Sequence, residues 1–248
     1  MQQFSTYIIE SAKSDKYEAD VADYITSLGI NASRPKVSVK FPDVLIDYNG
    51  KKVWLEVKMN HTDNLGNPRA SLVDGKWTAA APLDPVKNFA IQYLSTSKET
   101  KQFVKDIAKF TGINPNSITI PSTKGLLKKP NAVSREQMGE FLANRAQYIL
   151  SVSNVDLGEL VTAHYLEAKA KPAFYMQAGD DFYMIGKSNP LGVPKDVPLL
   201  SGRGDFRMRI GLRTGFYEVQ PEIKIMKMPD SKYSLKPGTT KLNPFKDL

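Results

Sequence analysis

The sequence predicts an α/β protein, a central mixed sheet flanked by helices with a β-rich basic C-terminal extension. Three observations carry that expectation. Apolar residues recur at helical spacing over 15–28, 97–110 and from 134 onward. The period drops to two from Lys36 and again in the last third. Asn49-Gly50 sits between two apolar-alternating runs, the strongest short signal for a hairpin, because both central residues of that turn need positive φ.

The elements follow in order. Tyr17, Val21, Tyr24, Ile25 and Leu28 form one helical face, and Gly29 stops it. Strands over 44–48 and 53–58 flank Asn49-Gly50. Residues 60–84, rich in Asn, Gly, Asp and Pro, read as a long loop. Helices are expected near 84–94 and over 97–110, with Phe103, Val104, Ile107 and Ala108 inward and Gly112 as stop. Ser134 and Gln137 form a capping box, opening a helix with Met138, Phe141, Leu142 and Ile149 inward. A further helix over 156–168 precedes strands at 173–177, 182–186, 206–213 and 216–227. From Pro229 the Lys, Pro and Gly content predicts an extended arm, and the last six residues a frayed or partner-docking peptide.

Composition narrows the chemistry. The 248 residues are 41% hydrophobic, enough to bury a sizeable core. With three prolines and three glycines, 187–204 is the best candidate boundary, separating a core with inserted helices (1–186) from a basic part and tail (187–248). Zero cysteines exclude disulfides, thiolate metal sites and cysteine nucleophiles, and two histidines exclude a histidine cage. A metal would be held mainly by carboxylates, which favours hard cations such as Mg²⁺ or Mn²⁺. No apolar run approaches a membrane span, and the N-terminus lacks the basic flank and apolar stretch of a signal peptide, so a cytoplasmic location is expected. The net charge is +8, of which +6 falls within 185–248, suggesting nucleic acid as a polyanionic partner.

The most informative stretch runs from Pro42-Asp43 to Glu56-Val57-Lys58. With Asn49-Gly50 as a two-residue turn, Tyr48 pairs with Lys51 and Asp43 comes opposite Glu56. Alternation then places Asp43, Glu56 and Lys58 on one face and Val44, Ile46, Val53, Leu55 and Val57 on the other. Two carboxylates facing across strands repel unless a cation lies between them. Asp47 shares that face, but opposite Lys52 it reads as half of a surface ion pair. Exposed strands also alternate charges without any function.

This layout, over roughly residues 14 to 60, resembles the PD-(D/E)XK nuclease superfamily, with its restriction-endonuclease-like fold. Glu18, on the helix before the hairpin, stands where many members place a further glutamate, although with Asp15 as N-cap it could equally close a capping box. The resemblance implies a metal-dependent DNA endonuclease leaving a 5′-phosphate and a 3′-hydroxyl. Asp43, Glu56 and Glu18 would hold Mg²⁺, with Mn²⁺ able to substitute. Lys58 would orient the attacking water and stabilise developing charge. A two-fold cut of duplex DNA implies a homodimer. Two alternatives stay open: a metal-dependent RNase, less favoured because such relatives add an upstream histidine and none precedes His61, and a non-catalytic nucleic-acid-binding protein on this scaffold. A capsid or interaction protein would follow only from a different register over 43–58.

Several residues are candidates for holding phosphates. Arg207, Arg209 and Arg213 share one strand face, and Arg203 lies in a Gly-rich stretch before them. If Thr214-Gly215 is the turn, Arg207 faces Glu222, and the same arginines could simply satisfy Glu218 and Glu222. Lys124 and Lys128 lie in a segment that lacks a phosphate-loop ending and reads equally as a solvated loop. His61, three residues past Lys58, is close enough to meet substrate. His164, inside a helix, reads as structural.

Overall fold

The structure is a computed structural model, and it describes residues 2–35, 42–60, 70–79, 81, 83, 85–122, 124–143, 148–156, 158–168, 172–201, 203–213, 216–246 and 248. In chain order the first elements are α1 (Gln2–Ser27), β1 (Asn31–Ser33), β2 (Val44–Tyr48), β3 (Lys51–Lys58), β4 (Ala70–Val73), β5 (Lys76–Ala79), α2 (Pro85–Thr96) and α3 (Lys98–Thr111). After them come α4 (Arg135–Ala143), β6 (Tyr148–Asp156), α5 (Gly158–Ala163), β7 (Ala173–Ala178), β8 (Asp181–Met184), β9 (Arg203–Arg213) and β10 (Phe216–Lys227). A 3₁₀ turn covers Lys124–Lys128, and a π-helical turn, His164–Ala168, continues α5.

The chain divides into two compact units, each assembled from separated stretches. Residues 1–63, 156–203 and 225–248 form one, and residues 64–155 and 204–224 form the other. One parting, after residue 203, falls within the expected stretch 187–204, but each unit also takes in chain from the other side of it. Each unit has its own five-stranded sheet.

The first unit is built on a mixed sheet in the order β1-β2-β3-β7-β8, in which β3 and β7 run parallel and the other neighbours antiparallel. The Asn49-Gly50 turn forms as expected, with φ of 49° and 73°. It fixes the register Tyr48↔Lys51 through Val44↔Leu55. Because a strand alternates its faces, this register sends Val44, Ile46, Val53, Leu55 and Val57 into one core with Val21, Ile25, Tyr175 and Phe182. The residues from 36 to 41, where the first period-two signal falls, lie outside the described residues.

Two expectations for this unit are corrected. Helix α1 begins at Gln2 rather than near Asp15, so Asp15 lies within the helix and is not an N-cap for Glu18. The arm expected after Pro229 is instead part of the core: Tyr233, Leu235 and Phe245 are buried, and Phe245 meets Phe182 edge-on with ring centroids 5.7 Å apart. Three aromatic or aliphatic anchors outweigh the Lys, Pro and Gly content that suggested an extended arm, because each buried side chain contributes about 1.5–3 kcal/mol. The final peptide is anchored through the buried Phe245 rather than frayed there.

The second unit holds a sheet in the order β5-β4-β10-β9-β6 with α2, α3 and α4. Its core gathers Leu72, Leu94, Phe103, Ile107, Ile118, Ile120, Val133, Met138 and Phe141. The loop expected over 60–84 contains the hairpin β4–β5, turned by Asp74-Gly75 at φ 49° and 73°. Gly75 is needed for closeness as well, since a Cβ there would stand 2.7 Å from the Asn116 carbonyl oxygen. Helix α3 starts on Ser97, whose Oγ accepts the Thr100 N–H at 3.0 Å, and ends on Gly112. The Ser134/Gln137 box closes reciprocally: the Ser134 N–H donates to Gln137 Oε1 at 2.8 Å and the Gln137 N–H to Ser134 Oγ at 3.2 Å. That helix stops at Ala143, so Ile149 belongs to β6 and not to its inner face. No helix among the described residues is long and apolar enough to cross a membrane.

Candidate active site

The site lies within the first unit, on the sheet face opposite Val44, Ile46 and Leu55. Asp43 precedes β2, while Glu56 and Lys58 share one side of β3. Asp43 does not simply point outward. Its Oδ2 accepts the Val57 N–H at 2.8 Å, which ties the carboxylate to the strand carrying the other two. Glu56 is 2% exposed, and its Oε1 accepts from Lys58 Nζ at 2.5 Å.

A fourth group completes the cluster. Tyr165, 1% exposed, hydrogen-bonds Glu56 through its side chain and lies in the field of Asp43 and Lys58. The π-helical turn His164–Ala168 presents it, and such turns recur where a helix must aim one side chain at a site. The turn packs closely on its surroundings. A Cβ at Gly186, whose φ is +70°, would stand 2.7 Å from Leu166 Cδ1.

Electrostatics here follow from burying charges together. Burial and the neighbouring Glu56 charge push the Asp43 carboxyl up to about 7, although Lys58 and the Val57 N–H pull the other way. Burial works to lower the Lys58 pKa, but Glu56, Tyr165 and Asp43 more than reverse it and hold the ammonium well above its ordinary value. Burial and then Glu56 raise the Tyr165 phenol well above its ordinary value, so it stays a donor. One half-buried cation thus faces two carboxylates, an arrangement short of positive charge.

Glu18 lies near enough to raise the Asp43 carboxyl, but it is held by Arg34, whose Nε donates to Glu18 Oε2 at 2.8 Å. Arg34 Nη2 lies 2.5 Å from both Glu18 Oε2 and Asp15 Oδ1. Among the described residues, no group of three or more histidines, aspartates or glutamates is placed to hold a metal ion. Asp43 and Glu56 are thus adjacent, whereas Glu18 is committed to another partner.

The remaining candidates are scattered. His61 lies outside the described residues. Arg203, Arg207, Arg209 and Arg213 lie along β9, which neighbours β10, but their side chains, like that of Lys124, fall outside the described residues. Lys128 is exposed on the 3₁₀ turn. The basic tail of the first unit is largely neutralised: Lys232 pairs with Asp196, Lys236 with Asp180 and Lys241 with Asp181. Tyr165 and Arg34 were not foreseen. Tyr165 had a weak signal as an aromatic in an expected helix, but nothing marked the π turn that aims it.

Compared with known proteins, the chain matches no family model, no curated protein and no solved structure.

Proposed function

We propose that this chain is a metal-dependent DNA endonuclease with a restriction-endonuclease-like core. The observation that carries the reading is the cluster of half-buried Asp43 and Lys58 around the buried Glu56, with the two carboxylates tied to one strand and the lysine on Glu56. A helix, a hairpin and a helix, α1, β2–β3 and α5, in that order within one unit, match the order of that superfamily's core and support it further.

The donor set fits a hard divalent cation. Asp43 and Glu56 offer carboxylate oxygens on one face, and Asp43, with its pKa near 7, is a group whose charge a cation would stabilise. A Mg²⁺ or Mn²⁺ ion bound there would polarise the scissile phosphate and supply a water of lowered pKa. Asp43 and Glu56 would hold that ion, and Glu18 would join them only by leaving Arg34. Tyr165 would donate to Glu56 and fix its orientation. Lys58 would turn its ammonium from Glu56 to the attacking water and the developing phosphoryl charge, where a preorganised donor acts most strongly.

Hydrolysis would leave a 5′-phosphate and a 3′-hydroxyl, and cutting both strands at one place would use two copies of the chain. The test is cleavage of supercoiled and linear DNA with Mg²⁺, Mn²⁺ or EDTA, wild type beside Lys58→Ala, with RNA as a parallel substrate. Metal-dependent cutting that the variant loses is the expected result. Equal cutting by the variant, or none by wild type on DNA, would overturn the reading, and cutting confined to RNA would make the enzyme a ribonuclease.

A further inference from the structure

Charge divides between the two units in a way the linear sequence conceals. The first unit holds eighteen Lys and Arg against seventeen Asp and Glu, a net of +1; the second holds sixteen against nine, a net of +7. Nearly all of the chain's net positive charge therefore belongs to the unit without the candidate site.

Within the second unit, α3 carries four described lysines, beside Glu99 and Asp106. Lys98, Lys101, Lys105 and Lys109 recur every three or four residues and are all exposed. They lie opposite the buried face formed by Thr100, Phe103, Ile107 and Ala108. Among the described residues none of the four makes an ion pair, unlike Lys16, Lys232, Lys236 and Lys241 of the first unit, each of which meets an aspartate.

A solubilising face would not need this pattern. Like charges at these spacings repel by a few tenths of a kcal/mol per pair. Lys98 and Lys101 also sit in the first turn, where the helix dipole disfavours cations; only Lys109, in the last turn, is favoured. The lysines at 105 and 109 also edge an open depression of about 510 Å³ with Gly112, Ile113 and Asn114. From Lys98 to Lys109 the row spans about 16 Å, the length of about five phosphates along one strand of a duplex.

We infer that the α3 lysine row is a binding track for the phosphate backbone of DNA, in the unit that does not carry the candidate site. The partner rests on the nuclease reading above. The track grips without reading sequence, because ammonium groups on phosphates position a duplex and carry no base information.

The test is fluorescence anisotropy of a labelled duplex in EDTA, across a salt series, with the full chain. One variant changes Lys98, Lys101, Lys105 and Lys109 to Gln. A control changes Lys16, Lys232, Lys236 and Lys241 to Gln, with the same loss of net charge, and thermal melting checks that both are folded. The expected result is at least tenfold weaker binding by the α3 variant and a salt slope shallower by up to about 3.6, from 0.9 per phosphate contact, with the control near wild type. Equal binding by wild type and the α3 variant overturns the track, and cleavage by wild type in the same preparation leaves the nuclease reading standing. Salt-sensitive binding lost only in the α3 variant, without any cleavage, keeps the track and removes the nuclease. Absence of DNA binding by wild type overturns both.

Discussion

The first unit holds most of the ion pairs among the described residues, although Lys13, Lys52, Lys187, Lys195 and Lys246 are exposed there without one, and the second unit pairs Lys129 with Asp74. Lys58 sits on Glu56, Arg34 bridges Glu18 and Asp15, and Lys232, Lys236 and Lys241 each meet an aspartate. The second unit leaves the α3 lysines exposed and without ion pairs among the described residues. The difference is one of partner, since the Lys16, Lys232 and Lys236 pairs are themselves exposed, and one of dielectric only around Glu56. A buried charge must be compensated inside the protein or shift its pKa, as Asp43 does. An exposed one can remain uncompensated at little cost and be available to an outside polyanion.

Lys58→Ala breaks this contrast most sharply. Cleavage should fall by roughly 10²–10³, the usual cost of one preorganised transition-state donor, while duplex affinity stays within a factor of two in EDTA. A comparable loss of affinity would mean that the first unit, too, grips the backbone.

Phe245→Ala acts on stability instead. Deleting a core aromatic should cost about 3–5 kcal/mol, read as a lowered denaturation midpoint. A change under 1 kcal/mol would show that the C-terminal segment is not anchored as described.

The pH dependence follows from Asp43. Its carboxyl titrates near 7 in the folded chain against an ordinary 3.8, so between those values the folded state holds a proton that the unfolded state has lost. Metal-free stability should therefore fall as pH rises from about 4 to about 7, by up to about 1.4 kcal/mol per pH unit. Asp43→Asn should flatten that slope, and Mg²⁺ should raise the melting temperature more at pH 8 than at pH 5. Identical slopes in urea melts of wild type and variant would remove the electrostatic account.

Tyr165→Phe gives the smallest effect. Losing one hydrogen bond to Glu56 should lower kcat about tenfold, with the salt slope of DNA binding unchanged. If both kcat and the metal dependence stay at wild-type values, Tyr165 only fills space.

The sequence alone determined what rests on short-range rules. Asn49-Gly50 set the hairpin register, and with it the sharing of one face by Asp43, Glu56 and Lys58, because a two-residue turn and strand alternation leave no other pairing. The Ser134 box and the Ser97 and Gly112 caps were equally local. Asp74-Gly75 carried the same turn signal as Asn49-Gly50, but the polar residues around it masked the hairpin β4–β5. Tertiary structure decided the rest. Burial of Phe245 and Tyr233 made a core element of a segment whose composition suggested an arm. The π turn aimed Tyr165, and Arg34 reached Glu18 across sixteen positions of sequence. Above all, the units are assembled from stretches far apart in the chain. Whether Lys232, Lys236 or Lys241 is paired depends on which distant aspartate folding brings beside it, a long-range contact that no local pattern encodes, unlike the i,i+4 pair of Lys16 with Asp20.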